Sequence, residues 1–191
     1  MSGDRVFVGK DRLAVGGQGP WLALVRGFAR ALGVLPRPVA ALTVTGWMLF
    51  IWWLSSGPID VRPPLPAPGF FANLAHAPVF GMLTALVAAA VAPRPLPRSW
   101  PDPGWRARLV ALASVAAWAV TDEWHQSYVE GRGSSPFDVL TDVTGAACVL
   151  WIAAYAGGAT ASERGLRRRL ALGFGACLAA ALAATLADRA A

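Results

Sequence analysis

The sequence is poor in charged residues, in cysteine and in histidine. Charged side chains make up 15% of the 191 residues, hydrophobic side chains make up 55%, and the mean hydropathy is +0.48. Soluble domains carry about 25% charged residues, so this composition excludes an ordinary soluble domain and favours a membrane protein. Cys148 and Cys177 lie in different apolar stretches. We interpret them as packing residues rather than as a disulfide or a metal site.

Motifs of several familiar site types are also missing. The sequence contains no H-E-x-x-H zinc motif, no nucleophile elbow, no phosphate-binding loop and no internal repeat. The first apolar stretch begins late and is not followed by a processing site. We therefore expect no cleavable signal peptide and interpret this first stretch as a membrane anchor.

Five apolar segments have roughly the ~20 residues that a transmembrane helix needs. The connections between them are short, so the sequence predicts one all-α domain, a polytopic membrane bundle of about five transmembrane helices, over residues 37–191. The predicted spans are 38–54, 70–92, 108–128, 137–156 and 170–186.

Two segments precede this domain. Residues 1–20 have no apolar period and are predicted to form a flexible cytoplasmic tail. Within residues 21–36, Arg26 and Arg30 are four apart and share a helical face among apolar residues. This pattern predicts an amphipathic helix that lies in the membrane interface.

The basic residues are distributed unevenly between the two sides of the predicted bundle. Fourteen of the 17 fall on one side, and only Arg62, Arg132 and Arg189 fall on the other. Because cytoplasmic loops are enriched in Arg and Lys, we predict a cytoplasmic N-terminus and an extracytoplasmic C-terminus. Topology accounts for the net charge of +6, so no nucleic-acid partner is expected.

The polar residues of the spans are concentrated in their outer halves. Segment 109–120 is wholly apolar but is only about 18 Å long at ~1.5 Å per residue. The hydrocarbon core is about 30 Å thick, so the third span must also contain the polar residues that follow. The same reasoning places acidic residues inside the fourth span. We predict one extracytoplasmic pocket that contains Asn73, His76, Asp122, Glu123, His125, Gln126, Arg132, Asp138 and Asp142.

The start of the fourth span has the pattern of a helix N-terminus. Ser135 is predicted to be the N-cap and Pro136 the first helical residue, which places Asp138 in the third position, where it can act as a cap. Arg132 and the free amides of this terminus favour a phosphate or carboxylate ligand. Asp138 and Asp142 oppose such a ligand unless they are protonated or are bridged by Arg132 or a metal ion.

Three stretches resemble the VanZ-like family of small bacterial membrane proteins. They are NLAHAPVFGML, DEWHQSYVEGR and SPFDVLTDVTGA, which together cover spans two to four. At the position where the family often has a lysine before the histidine of the second span, the nearest polar residue here is Asn73. The fifth span is an addition to the four of many members. The resemblance implies a bacterial plasma-membrane protein that acts at the cell envelope, with a link to resistance to the glycopeptide teicoplanin.

The predicted pocket leaves three functions open. It can belong to an enzyme that performs acid–base chemistry on an outer-leaflet lipid or a lipid-linked envelope precursor, with Glu123 or Asp122 as the base and His125 as its partner. It can bind an envelope lipid or a glycopeptide without turnover. It can also be a structural polar network that joins helices. The enzyme hypothesis assigns catalysis to Asp122, Glu123, His125 and His76, and substrate binding to Gln126, Arg132, Asp138, Asp142 and Asn73.

A divalent metal ion is a variant of the enzyme hypothesis, because imidazole and carboxylate groups are common metal ligands. Its candidate ligands are His76, Asp122, His125, Asp138 and Asp142. A proton or ion pathway is not expected, since the polar residues do not continue into the cytoplasmic half of the spans.

Overall fold

The computed structural model describes residues 19–57, 68–132 and 134–188. These ranges contain six α-helices and no β-strand, which confirms the predicted all-α class. The predicted tail lies almost wholly outside them. The helices are α1 Pro20–Gly33, α2 Arg37–Ser55, α3 Pro68–Val91, α4 Trp105–Gln126, α5 Pro136–Gly157 and α6 Glu163–Asp188.

Helices α2 to α6 correspond to the five predicted spans. Among the described residues, α2, α3, α5 and α6 are long and apolar enough to cross a membrane. Helix α4 has 22 residues, as many as α5, and is therefore roughly 33 Å long. It contains Arg106, Arg108, Asp122 and Glu123, which lower its hydropathy. The structure thus supports four of the five spans by composition, and the third span, α4, stays a prediction.

Helix α3 lies at the centre of the bundle and contacts each of the other five helices. Its side chains Phe80 and Leu83 are each 1% exposed and belong to a buried cluster that also includes Ile51 of α2, Val115 of α4 and Leu150 of α5. Because α3 touches every neighbour, polar groups near its first turns can meet groups from several helices.

Helices α3 and α5 approach each other closely at Gly145. A Cβ atom on Gly145 would overlap the backbone of Ala77, including its carbonyl oxygen. A residue with a side chain therefore cannot occupy this position unless the two helices move apart. Asp142 is one helical turn before Gly145, and His76 immediately precedes Ala77, so this contact also brings those two residues together.

The predicted interfacial segment forms α1, which packs against α3, α5 and α6. Glu163 accepts hydrogen bonds from the backbone amides of Trp21 and Leu22 at 3.3 and 3.1 Å and so caps the start of α1. The Arg26 guanidinium donates to the carbonyl oxygens of Ala156 and Gly158 at the end of α5. The helix is confirmed, whereas its position on the membrane surface stays a prediction.

Candidate functional site

A polar cavity of about 580 Å³ lies where α2 and α4 end and where α3 and α5 begin. Six of the nine predicted site residues line it, together with two serines and several apolar side chains. The polar lining consists of Ser55, Asn73, His76, Asp122, Gln126, Arg132, Ser134 and Asp138.

Asp122 is held between α2 and its own helix. The Ser55 hydroxyl donates to Asp122 Oδ1 at 2.6 Å, and Gln126 Nε2 donates to Asp122 Oδ2 at 2.9 Å. Asp122 and Gln126 are four residues apart and share a helical face, as their spacing predicts. All three residues are buried. Because both of its oxygens accept hydrogen bonds, Asp122 joins α2 to α4.

Glu123 belongs to a different cluster, with one member from each of α3, α4 and α5. His76 Nδ1 lies 3.0 Å from Asp142 Oδ1. Glu123 Oε2 accepts a hydrogen bond from the Ser135 amide at 2.8 Å. His76, Glu123 and Asp142 each have one potential metal-ligand atom, a ring nitrogen or a carboxylate oxygen, and these three atoms lie within 4.8 Å of one another. These three residues have the groups and the proximity to hold a metal ion.

The two acids of this cluster are deeply buried but incompletely bonded. Glu123 is 6% exposed and Asp142 is fully buried. Glu123 Oε1 and Asp142 Oδ2 have no hydrogen-bond partner among the described residues. A buried carboxylate oxygen without a partner is costly, so a proton, a water molecule, a cation or a substrate group would stabilise it there.

The N-terminus of α5 has the predicted capping geometry. Ser135 is the N-cap, Pro136 begins the helix, and the Ser135 hydroxyl accepts a hydrogen bond from the Phe137 amide at 3.2 Å. Asp138 lies buried in the first turn and lines the cavity, where the helix dipole favours a carboxylate. Glu123 accepts a hydrogen bond from the backbone amide of Ser135, the N-cap residue. In a capping box, a Glu at the third helical position has this role.

Arg132 caps the end of α2. Its Nε donates to the carbonyl oxygen of Gly57 at 2.8 Å, and its Nη2 donates to the carbonyl oxygen of Leu54. Partial burial lowers the pKa of this guanidinium, whereas the charges of Asp122 and Glu123 act in the opposite direction. An arginine stays charged in proteins despite such shifts, so Arg132 presents a positive charge to the cavity.

The two histidines have different surroundings. The His125 ring stacks on Trp52 with ring centroids 3.7 Å apart, and His125 Nε2 lies 3.0 Å from the Ser56 hydroxyl. His125 does not line the polar cavity, and neither do Glu123 and Asp142, but those two acids lie beside His76, which does. The geometry therefore identifies His76, rather than His125, as the histidine placed beside a carboxylate.

Sequence reasoning missed the contribution of α6. Asn73 Nδ2 donates to the hydroxyl of Thr185 at 3.2 Å, and both residues are buried. Thr185 is a polar residue inside an apolar stretch of α6, and this position was the one sign in the sequence that α6 contributes to the polar region. The partner could not be identified because the contact joins residues 112 positions apart.

Comparison with known proteins identifies one family. Residues 37–157 match a family model described as VanZ/LLP1. The matched segment contains α2 to α5, every predicted site residue and every residue that lines the polar cavity. Searches of curated protein sequences and of solved structures found no match.

Proposed function

The chain belongs to the VanZ/LLP1 family, and we propose that it is a bacterial plasma-membrane protein that binds an envelope lipid or lipid-linked precursor in the polar cavity and acts on it there. The observation that carries the proposal is the position of the polar cavity directly beside an apolar groove. Together they match a molecule that has a polar head and a hydrocarbon chain.

The apolar groove lies between α1, α3, α5 and α6 and has a volume of about 750 Å³. Along α3 it extends from Phe71 to Ala88, a distance of roughly 25 Å. This is close to the ~30 Å thickness of the hydrocarbon core. Ala75 lines both the groove and the polar cavity, so a lipid chain in the groove would place its head beside His76.

The polar cavity favours an anionic or strongly polar headgroup. Arg132 supplies a positive charge, and Gln126, Asn73 and Ser134 supply further hydrogen-bonding groups. The cluster of His76, Glu123 and Asp142 combines an imidazole with two carboxylates, which are the groups that general acid–base catalysis uses most often. The reaction class that we assign is hydrolysis of the headgroup or transfer of a group to it.

The orientation proposed for the bundle places this cavity outside the cytoplasm. Among the described residues, Arg132 is the one arginine or lysine that lines the cavity. The basic residues near the starts of α4 and α6 lie at the ends of those helices that are far from the cavity. This asymmetry is what the positive-inside rule expects. The substrate would then come from the outer leaflet, where glycopeptide antibiotics act, and the proposal includes a change in teicoplanin susceptibility.

Asp122 supports a second, structural role for part of the cavity. Its two oxygens are satisfied by Ser55 and Gln126, so it can join two helices without taking part in chemistry. Non-catalytic binding of a lipid or a glycopeptide uses the same cavity and groove, and it differs from the enzyme in that no product forms.

The proposal is tested by lipid mass spectrometry of cell envelopes from a strain that lacks the protein and from strains that carry variants. We expect Glu123→Gln and His76→Ala to reproduce the lipid profile and the teicoplanin susceptibility of the deletion strain. Glu130→Gln is the matched control, because Glu130 is an exposed residue in the loop after α4. Envelope lipids that do not change on deletion would exclude the enzyme. A purified protein that also retains no lipid would exclude the binding function.

A further inference from the structure

We propose that His76, Glu123 and Asp142 form a binding site for one divalent transition-metal ion, of the class of Zn²⁺ or Mn²⁺, beside the polar cavity. The site goes beyond the function proposed above, because it stands whether or not the cavity takes a lipid. It also differs from the ligand set that sequence reasoning suggested, which included Asp122 and His125 and omitted Glu123.

The distances among the three side chains suit a metal ion. Ligand atoms around such an ion lie about 2.0–2.2 Å from it and hence roughly 3–4 Å from one another. The nearest donor atoms of the three residues lie within 4.8 Å of each other. These atoms would have to approach one another by at most about 1–2 Å to reach the spacing of metal ligands.

A cation would also satisfy the charges and the unfilled hydrogen bonds of the cluster. Glu123 Oε1 and Asp142 Oδ2 are buried and have no hydrogen-bond partner within the described ranges. Arg132 also lines the cavity, but its hydrogen bonds go to the backbone carbonyl groups of Leu54 and Gly57. A divalent ion between the two carboxylates would bind both oxygens and offset two negative charges that are expensive to bury.

The surrounding residues hold the three side chains in place. The Ser135 amide donates to Glu123 Oε2 and leaves Oε1 available. The His76 ring lies parallel to Phe80, with an interplanar angle of 2° and centroids 6.2 Å apart. Such outer contacts orient metal ligands and raise metal affinity.

The ligand types favour a first-row transition metal. Imidazole nitrogen suits Zn²⁺ and Fe²⁺ and carboxylate oxygens suit Mn²⁺, whereas Ca²⁺ and Mg²⁺ prefer sites made of oxygen alone. Three protein ligands leave coordination positions open for water or for an anionic group of a bound molecule. The ion would thereby reduce the repulsion between an anionic headgroup and the acidic residues of the cavity.

The experiment measures ion binding by the whole protein, purified in detergent, dialysed against a chelator and then titrated with Zn²⁺ or Mn²⁺. We expect one equivalent per chain and a melting temperature that rises with ion concentration. Glu123→Gln and Asp142→Asn should weaken binding at least about 10-fold. Asp122→Asn is the matched buried control and should bind like the wild type, because Asp122 already has two partners.

Because a change at a buried carboxylate can prevent folding, wild-type protein is also loaded with Co²⁺ or Zn²⁺ and studied by X-ray absorption. One imidazole and two carboxylates around the ion support the proposal. Absence of saturable binding by folded wild-type protein overturns it, and so does binding that Asp122→Asn weakens as much as Glu123→Gln does. Since the readout is ion content, the result is independent of whether the proposed lipid is correct.

Discussion

Asp122 and Glu123 are neighbours in the chain, yet they belong to two different polar clusters. Asp122 faces Ser55 of α2, which donates to one of its oxygens, and Gln126 of its own helix donates to the other. Glu123 lies beside His76 and Asp142, and one of its oxygens has no partner in the part of the chain that the structure describes. Both acids are buried, at 2% and 6% exposure. The comparison teaches that burial alone does not identify a functional acid, whereas unfilled hydrogen-bonding capacity distinguishes one acid from the other.

The largest expected effect is the loss of activity on removal of the Glu123 charge. We expect Glu123→Gln to reduce turnover of the envelope lipid by about 100-fold or more, because an acid–base group contributes about 10²–10⁴-fold. The melting temperature should stay unchanged or rise, since the variant removes a buried charge with an unfilled oxygen. Both quantities are measured on purified protein, and a Glu123→Gln variant that is inactive only because it is unfolded would contradict the comparison.

Asp122→Ala should give the opposite result, a stability loss that exceeds its effect on chemistry. The change removes the acceptor of the buried Gln126 amide, at a cost of about 1–3 kcal/mol, whereas the Ser55 hydroxyl can still donate to the carbonyl oxygen of Trp52. The free energy of unfolding in detergent measures this loss. If Asp122→Ala kept its stability and lost all activity, the assignment of the two neighbouring acids would have to be reversed.

Gly145→Val should destabilise the contact that brings His76 and Asp142 together. The new side chain would overlap the backbone of Ala77, and overpacking of this kind costs about 1–3 kcal/mol. Gly46→Ala is the control, because a Cβ atom at Gly46 meets nothing within 4 Å and alanine is the better helix former. The thermal stability of the two variants should change in opposite directions, and equal melting temperatures would argue against a close α3–α5 contact.

The smallest effect is expected at His125. Loss of its stacking on Trp52 should cost about 1 kcal/mol, with activity close to the wild type, whereas His76→Ala should abolish activity. The two alanine variants are compared in the same lipid assay. A His125→Ala variant as inactive as His76→Ala would return His125 to the catalytic role that the sequence suggested for it.

Much of the helix arrangement could be predicted from local patterns. Apolar length predicted the five long helices to within a few residues, except that α6 begins at Glu163 rather than near residue 170. The apolar period there is preceded by a basic segment, which can be helical without being hydrophobic. Ser135 and Pro136 identified the start of α5 because capping depends on neighbouring residues alone.

The composition of the candidate site was only partly predictable. Span lengths placed the acidic residues and His76 near one end of the bundle, because a helix of known rise per residue converts sequence position into depth. Depth does not determine which side of a helix meets which neighbour. For this reason the pairing of His76 with Asp142, and the bond between Asn73 and Thr185, came from the structure.

The sequence by itself determined the all-α class, the membrane-protein composition and the end of each helix at which polar residues lie, since all three depend on local periodicity and length. Tertiary structure alone decided that Asp122 contacts α2 while Glu123 approaches His76 and Asp142. Successive residues of an α-helix point about 100° apart, at 3.6 residues per turn. Two adjacent acids of α4 therefore face different neighbours. Asp122 forms hydrogen bonds that join α4 to α2, whereas Glu123 lies in the incompletely bonded cluster with His76 and Asp142.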